Sequence, residues 1–389
     1  MYMIKRFHAL LLAFVLILSV LPVMAEPAAE LAPAFDATVS EIQKYGNLVL
    51  DAKASDLFNA GFAYGDLVDV TVNGQTYQMP VGSNYSDVDQ GSCICRAVYA
   101  EGGDDYIIVA INMGDLATTA GIATKEKIEA DPGFVWHTNE GVAEPVAVSI
   151  VMAQQGGYYD AWVMHQLARS NNREDYPGLT DAEFANVRMV ATTGMGQGKL
   201  YRSSNPVNPE IGRNKEADAA AAEAGVKTFI NLADNEETMK GYEGFADSYY
   251  SKQNIIALNL GVDFSAEEFK AGLAKGISFM AAHEAPYLVH CTEGKDRAGF
   301  VNAVLECLMG ATADEVVADY MVTYYNYYAV KPDGDRYQVI ANSNIKKSLA
   351  TAFGIADIAD ADLAACAEQY LLGIGVSAED IAKVRENLK

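Results

Sequence analysis

The segment that most constrains the fold of this 389-residue chain is a strand, a loop and a helix in succession. The short run Tyr287-Leu288-Val289-His290 delivers Cys291; five residues follow, and Arg297 leads into a second apolar run over residues 300–309. The first run is bounded like a buried strand, and the second has helical length and composition. In sheets built from such units, ligands gather at the carboxyl ends of the strands. A loop of this size can wrap an oxyanion so that its backbone N–H groups point inward, with the helix N-terminus adding positive potential. The same field favours the thiolate form of a cysteine. Arg297 supplies a planar fork of donors for two equatorial oxygens, which a lysine cannot imitate. Gly294 is expected to let the backbone approach the ligand closely.

The flanking sequence agrees with an α/β class. A short strand is expected over 227–232, preceded by an Ala-rich helix over 216–224 that Gly225 ends, and an amphipathic helix over 265–282. A strand over 146–151 and a helix over 158–170 are expected to open this region.

The His-Cys, five residues, Arg pattern resembles the protein tyrosine phosphatase superfamily. The Gly294-Lys295-Asp296-Arg297 ending is similar to its bacterial secreted branch, which acts on phosphotyrosine and phosphoinositides. The similarity runs over about 150–335 and includes Leu200-Tyr201-Arg202-Ser203-Ser204, Asp319-Tyr320 and Asn326-Tyr327-Tyr328. It implies that Cys291 attacks phosphorus to form a phosphocysteine and that Arg297 with the loop amides stabilises the transition state. No metal or other cofactor is called for. His290 is expected to brace the loop, and Thr292, Glu293, Gly294 and Lys295 to complete the substrate cradle, with Lys295 as a second cation. The general acid is Asp263, ahead of the 265–282 helix, or Asp296 inside the loop. Two departures stand out. Ala298 occupies a position where most of the superfamily has Ser or Thr, a donor to the departing sulfur. Glu293 places an acid on the loop, which argues against the most highly charged substrates. The Tyr-rich stretch 320–328 reads as helix packing.

Upstream, residues 40–124 read as a β-rich unit. Val68, Val70 and Val72 alternate with Asp69 and Thr71, and Asn73-Gly74 is a tight-hairpin signal. A fully apolar strand is expected over 106–111. This unit resembles the C-terminal β-barrel domain of the SAM hydroxide adenosyltransferase and fluorinase family. The likeness rests on Lys44-Tyr45-Gly46-Asn47-Leu48-Val49, on Tyr85-Ser86-Asp87-Val88-Asp89-Gln90-Gly91 and on Ile111-Asn112-Met113-Gly114-Asp115-Leu116-Ala117. Those enzymes bind substrate between the barrel and a preceding catalytic domain that this sequence lacks. The resemblance therefore implies a barrel with a retained small-molecule or docking surface, and not adenosyl chemistry.

The remaining features bound the partners. The sequence has 28 basic and 52 acidic side chains, a formal net charge of -24. Such a surface repels nucleic acid, so the phosphate site must be a local positive exception. Residues 1–25 have the three-part pattern of a secretory signal, with cleavage expected after Ala25; the alternative is an uncleaved N-terminal anchor. No cysteine near that site suits a lipid anchor, and no later stretch is apolar enough to span a bilayer. Five cysteines, Cys93, Cys95, Cys291, Cys307 and Cys366, do not form a disulfide framework. Cys93 and Cys95 are expected on one face of a strand as core residues, and His137, His165 and His283 have no metal or triad spacing.

The expectation is thus a 1–25 signal, a 26–39 linker, a 40–124 barrel and a 145–389 cysteine-dependent phosphatase core whose central sheet is flanked by helices. It is expected to be secreted, without an integral membrane span after cleavage. Its expected substrates are phosphorylated protein, lipid or inositol phosphate; the competing reading is a catalytically weak phosphate-binding protein.

Overall fold

The structure is a computed structural model and describes residues 32–389. The expected signal over 1–25 and residues 26–31 of the expected linker lie outside the described residues.

A closed barrel comes first. Its strands are β1 (Ala34–Ile42), β2 (Leu48–Leu50), β3 (Leu67–Val72), β4 (Gln75–Gly82), β5 (Cys93–Tyr99), β6 (Asp105–Ile111) and, after a separate hairpin of β7 (Ala123–Lys127) and β8 (Phe134–Thr138), β9 (Ala147–Gln154). The order around the barrel is β1-β2-β6-β5-β4-β3-β9. Alternation decides the inside: Val68, Val70 and Val72 are buried, while Asp69 and Thr71 between them are not. Asn73 and Gly74, both at positive φ, turn β3 into β4 with Val72 opposite Gln75, as a two-residue hairpin of the primed type requires. Cys95 is fully buried in the barrel core, where burial pushes its thiol up to about 12. Cys93 packs at the edge of that core. Two short helices, α1 (Ala54–Asn59) and α2 (Leu116–Thr119), add Leu57 and Leu116 to the same core.

The barrel is larger than 40–124. The strand expected to open the phosphatase core is β9, which pairs with both β1 and β3 and closes the barrel. Its side chains explain this: Val148 and Ile150 are buried, whereas Ser149 and Val151 face outward. That period of two suits a barrel wall and not a parallel strand covered on both faces. Residues 34–39 of the expected linker likewise belong to β1.

The link into the second unit is α3 (Tyr159–His165), shorter than expected, followed by α4 (Asp181–Phe184). The core sheet has the order β10-β11-β14-β12-β13, from β10 (Arg188–Met189), β11 (Leu200–Ser203), β12 (Thr228–Asn231), β13 (Asn254–Ala257) and β14 (Tyr287–His290). All are parallel except edge strand β10. Helices α5 (Asn214–Glu223), α6 (Glu236–Gly241), α7 (Glu267–Ala282), α8 (Asp296–Met309) and α9 (Ala313–Tyr328) flank it, and α10 (Asp335–Ala341), α11 (Lys347–Phe353), α12 (Leu363–Gly373) and α13 (Ala378–Asn387) complete the chain. Almost all of α8 is buried, which is why its sequence is apolar all round. The register aligns Ser203, His290 and Asn231 at the carboxyl edge of the sheet, and Cys291 follows there.

Among the described residues, no helix is long and apolar enough to cross a membrane.

Candidate active site

Strand β14 is fully buried, and Cys291 is 3% exposed where the chain leaves it. The loop from Cys291 to Lys295 then curls into the first turn of α8. The carbonyls of Thr292 through Lys295 are each taken by a group from elsewhere, that of Thr292 by the Asn205 N–H at 3.1 Å. Tyr327 donates to the Glu293 carbonyl at 2.7 Å, Asn186 to Glu293 and Gly294 at 3.2 and 3.4 Å, and Arg202 to Gly294 and Lys295 at 2.9 and 3.3 Å. Among the described residues no group accepts from the backbone N–H of Thr292 through Arg297. Carbonyls out and free N–H groups in is the geometry of an anion cradle.

Behind the loop lies a buried charge network. Asp319 on α9 receives Arg188 at 3.0 Å and Arg202 at 2.7 Å, and Arg188 also holds the Asn186 amide oxygen at 2.8 Å. Burial pushes Asp319 up, but the two guanidinium groups outweigh it and hold the carboxyl below its ordinary value. Removing one member of such a buried pair typically costs about 3–5 kcal/mol, because the other charge is stranded.

His290 is fully buried, its Nε2 3.0 Å from the Tyr250 hydroxyl, and desolvation lowers its pKa to about 4. It is a neutral brace. Arg297 donates to the carbonyl oxygens of Leu260 and Leu232 at 3.0 and 3.4 Å and to the Thr292 hydroxyl at 3.2 Å. These contacts orient a fork that a lysine ammonium could not reproduce. Arg297→Lys is expected to lower kcat/KM by on the order of 10²-fold; steady-state kinetics at matched folding would check this, and a wild-type rate would remove the bidentate role.

Gly294 meets a packing constraint within the fold. It sits at φ +69°, and a Cβ there would lie 2.2 Å from the carbonyl oxygen of Ser203. The neighbouring strand thus comes too close for any side chain at this position. Gly294→Ala should cost about 1–3 kcal/mol in backbone strain alone and distort the loop. A thermal melt with kinetics tests this, and an unchanged Tm and rate would mean that the loop shifts freely.

Neither charged side chain of the loop is left free. Glu293 receives Arg169 at 2.6 Å and lies 3.1 Å from the Lys295 ammonium, which also donates to the Tyr328 hydroxyl at 3.2 Å. Burial opposes ionisation of Glu293, but Lys295 and Arg169 hold its carboxyl below the ordinary value. Asp296 and Glu293 likewise hold Lys295 above the ordinary lysine value against the pull of burial.

The two acid candidates differ. Asp263 is exposed, accepts from the Ser265 hydroxyl and N–H at 2.6 and 2.9 Å, and is pushed below the ordinary value by those bonds. It lines a cavity of about 390 Å³ with Lys270, Lys347 and Tyr370, which neither Cys291 nor Arg297 borders. Its loop reaches the site through the Leu260 carbonyl. Asp296 is hemmed in by the protein yet keeps 43% of its side-chain surface open. Burial raises its pKa and Glu293 adds to that, outweighing Lys295. Ala298 is fully buried on the first turn of α8.

Sequence reasoning passed over Arg169 and Asn186, whose partners lie more than 100 residues away. Tyr327 and Tyr328, expected as packing residues, also hold the loop. A buried arginine at the end of a strand, as in Leu200-Tyr201-Arg202-Ser203, was the available signal for Arg202.

The fold and site therefore define an α/β protein with a phosphate-type loop at the carboxyl edge of its sheet. The model of the tyrosine phosphatase family matches residues 183–389, more than half of the sequence, and the chain belongs to that family. The match makes the second unit a tyrosine-phosphatase-like domain. The model of the SAM hydroxide adenosyltransferase C-terminal domain matches residues 37–129, within the barrel. No curated protein matches the chain. Among solved structures, an uncharacterized conserved protein from Thermotoga maritima shares 18% identity at a TM-score of 0.23, over 33% of this chain and 39% of that one.

Proposed function

We propose that this protein is an exported, cysteine-dependent phosphomonoesterase acting on phosphotyrosine or phosphoinositide esters. The observation that carries the reading is the loop itself: six successive N–H groups without an acceptor among the described residues, beside Cys291 and the Arg297 fork. Export rests on the N-terminal sequence pattern alone.

In this reading the Cys291 thiolate attacks phosphorus in line, and the P–O bond to the leaving group breaks as the P–S bond forms. The loop amides and Arg297 hold the equatorial oxygens throughout. Asp296 gives its proton to the leaving oxygen, then takes one from the water that displaces sulfur and releases inorganic phosphate. Asp296 fits better than Asp263 because a general acid must carry a proton, and burial raises the Asp296 pKa while the Ser265 bonds lower that of Asp263.

Pairing of Glu293 with Arg169 and Lys295 favours a second reading, an inositol polyphosphate phosphatase. The carboxylate that argued against highly charged substrates is already neutralised. A panel of phosphotyrosine peptides, phosphoinositides and inositol phosphates, assayed with wild type and Cys291→Ser, tests both. Cys291-dependent turnover of the first two classes is expected. Turnover confined to inositol phosphates would select the second reading, and phosphate binding without turnover would leave a binding protein.

A further inference from the structure

The barrel and the phosphate loop are joined by one short stretch of chain. Asp87, in the barrel, is buried and accepts from the Ser83 and Asn84 N–H groups at 2.6 and 3.0 Å. It also accepts from the Trp162 indole at 3.2 Å and the Gln166 amide at 2.8 Å, on and just after α3. The Trp162 ring stacks on Tyr64 of the barrel, with centroids 5.5 Å apart and planes 12° from parallel. Gly65 allows the backbone of Tyr159 to come so close that a Cβ would meet its Cα at 2.6 Å. The surface around the Asp87 motif is thus occupied by the chain's own α3.

Three residues past Gln166, Arg169 reaches the phosphate loop. Its Nη2 and Nε lie 2.6 and 3.1 Å from Glu293 Oε1, and its guanidinium sits 5.6 Å from the Tyr327 ring centre. Side chains of Arg169 and Glu293 are 18% and 23% exposed, so water screens the pair weakly. Without Arg169, a half-buried carboxylate would face an incoming phosphate dianion with Lys295 as its remaining counter-charge.

We propose that Arg169 is a positioning residue for the phosphate loop and that the barrel sets it there. Asp87 fixes α3, α3 presents Arg169, and Arg169 neutralises Glu293 so that the loop can accept a dianion. The barrel serves the phosphatase core as a structural arm rather than as an independent ligand-binding module. This inference rests on the loop being a phosphate site.

The test uses the full chain and reads binding of inorganic phosphate by titration calorimetry, which needs no turnover. Arg169→Gln is expected to weaken phosphate binding by on the order of 30-fold or more, the scale on which a half-buried charge loses its partner. KM for p-nitrophenyl phosphate should rise in parallel while kcat moves far less, and Arg169→Lys should recover part of the loss. In a Glu293→Gln background the arginine change should matter by less than about threefold, since the charge it neutralised is gone. Asp87→Asn should weaken phosphate binding in the wild-type background and not in the Glu293→Gln background. Trp162→Phe, which keeps the ring stack and removes the N–H donor, replaces it if the asparagine variant does not fold.

Phosphate binding within about twofold of wild type in Arg169→Gln would overturn the proposal, as would a defect that persists when Glu293 is glutamine. An Asp87 or Trp162 effect that ignores the Glu293 background would remove the barrel's part. Cys291-dependent hydrolysis of p-nitrophenyl phosphate by wild type reports separately on the phosphatase reading.

Discussion

Cys291→Ser is expected to lower turnover by on the order of 10⁴-fold or more, the scale on which loss of a covalent nucleophile acts, while leaving phosphate-ester binding nearly intact. A serine hydroxyl in the same place is a far weaker acid than a thiol and a weak nucleophile in its protonated form. Binding survives because it depends on groups the substitution does not touch: the free N–H groups of 292–297 and the Arg297 fork, held by the Leu260 carbonyl and Thr292. Calorimetry with a phosphate ester and steady-state hydrolysis of p-nitrophenyl phosphate separate the two quantities. A serine variant that keeps more than a few per cent of wild-type kcat, or a wild-type activity abolished by a chelator, would exclude the thiolate route.

Asp296→Asn is expected to lower kcat by about 10²–10⁴-fold for esters with poor leaving groups, the range over which a general acid contributes. Loss should be smaller for p-nitrophenyl phosphate, whose leaving group departs with little help from a proton. The sign of the pH effect follows from burial. Because the Asp296 pKa is raised, the proton-bearing form persists further up the pH scale than for a free aspartate. The kcat profile of wild type should therefore fall as pH rises through that raised pKa, and this descending limb should vanish in Asp296→Asn. Asp263→Asn should keep both the limb and most of the rate, because its exposed carboxylate is already ionised and bonded to Ser265. A descending limb that disappears with the Asp263 change instead would reverse the assignment.

Most of the site's chemistry was legible in the sequence because it is local. Strand, cysteine, five residues, arginine and helix lie within one unbroken segment, and every step of that order has a periodicity or a backbone reason that one sequence can show. The Asn73-Gly74 hairpin was legible for the same reason, since both residues must take positive φ and few other residues do so cheaply. The choice between Asp263 and Asp296 was not. Burial raises the Asp296 pKa and bonds from Ser265 lower that of Asp263, and both effects depend on the packing around each carboxyl.

The sequence by itself determined the α/β order, the barrel strands and the phosphate loop with its cysteine and arginine. Tertiary structure alone decided which sheet the strand at Ala147–Gln154 would join, because a two-faced strand completes whichever edge is left open. It also decided that Gly294 packs against Ser203, and that Glu293 is neutralised by Arg169 from 124 residues away. Those outcomes depend on contacts between distant segments, where the energy resides in desolvation and charge pairing that no local pattern of residues encodes.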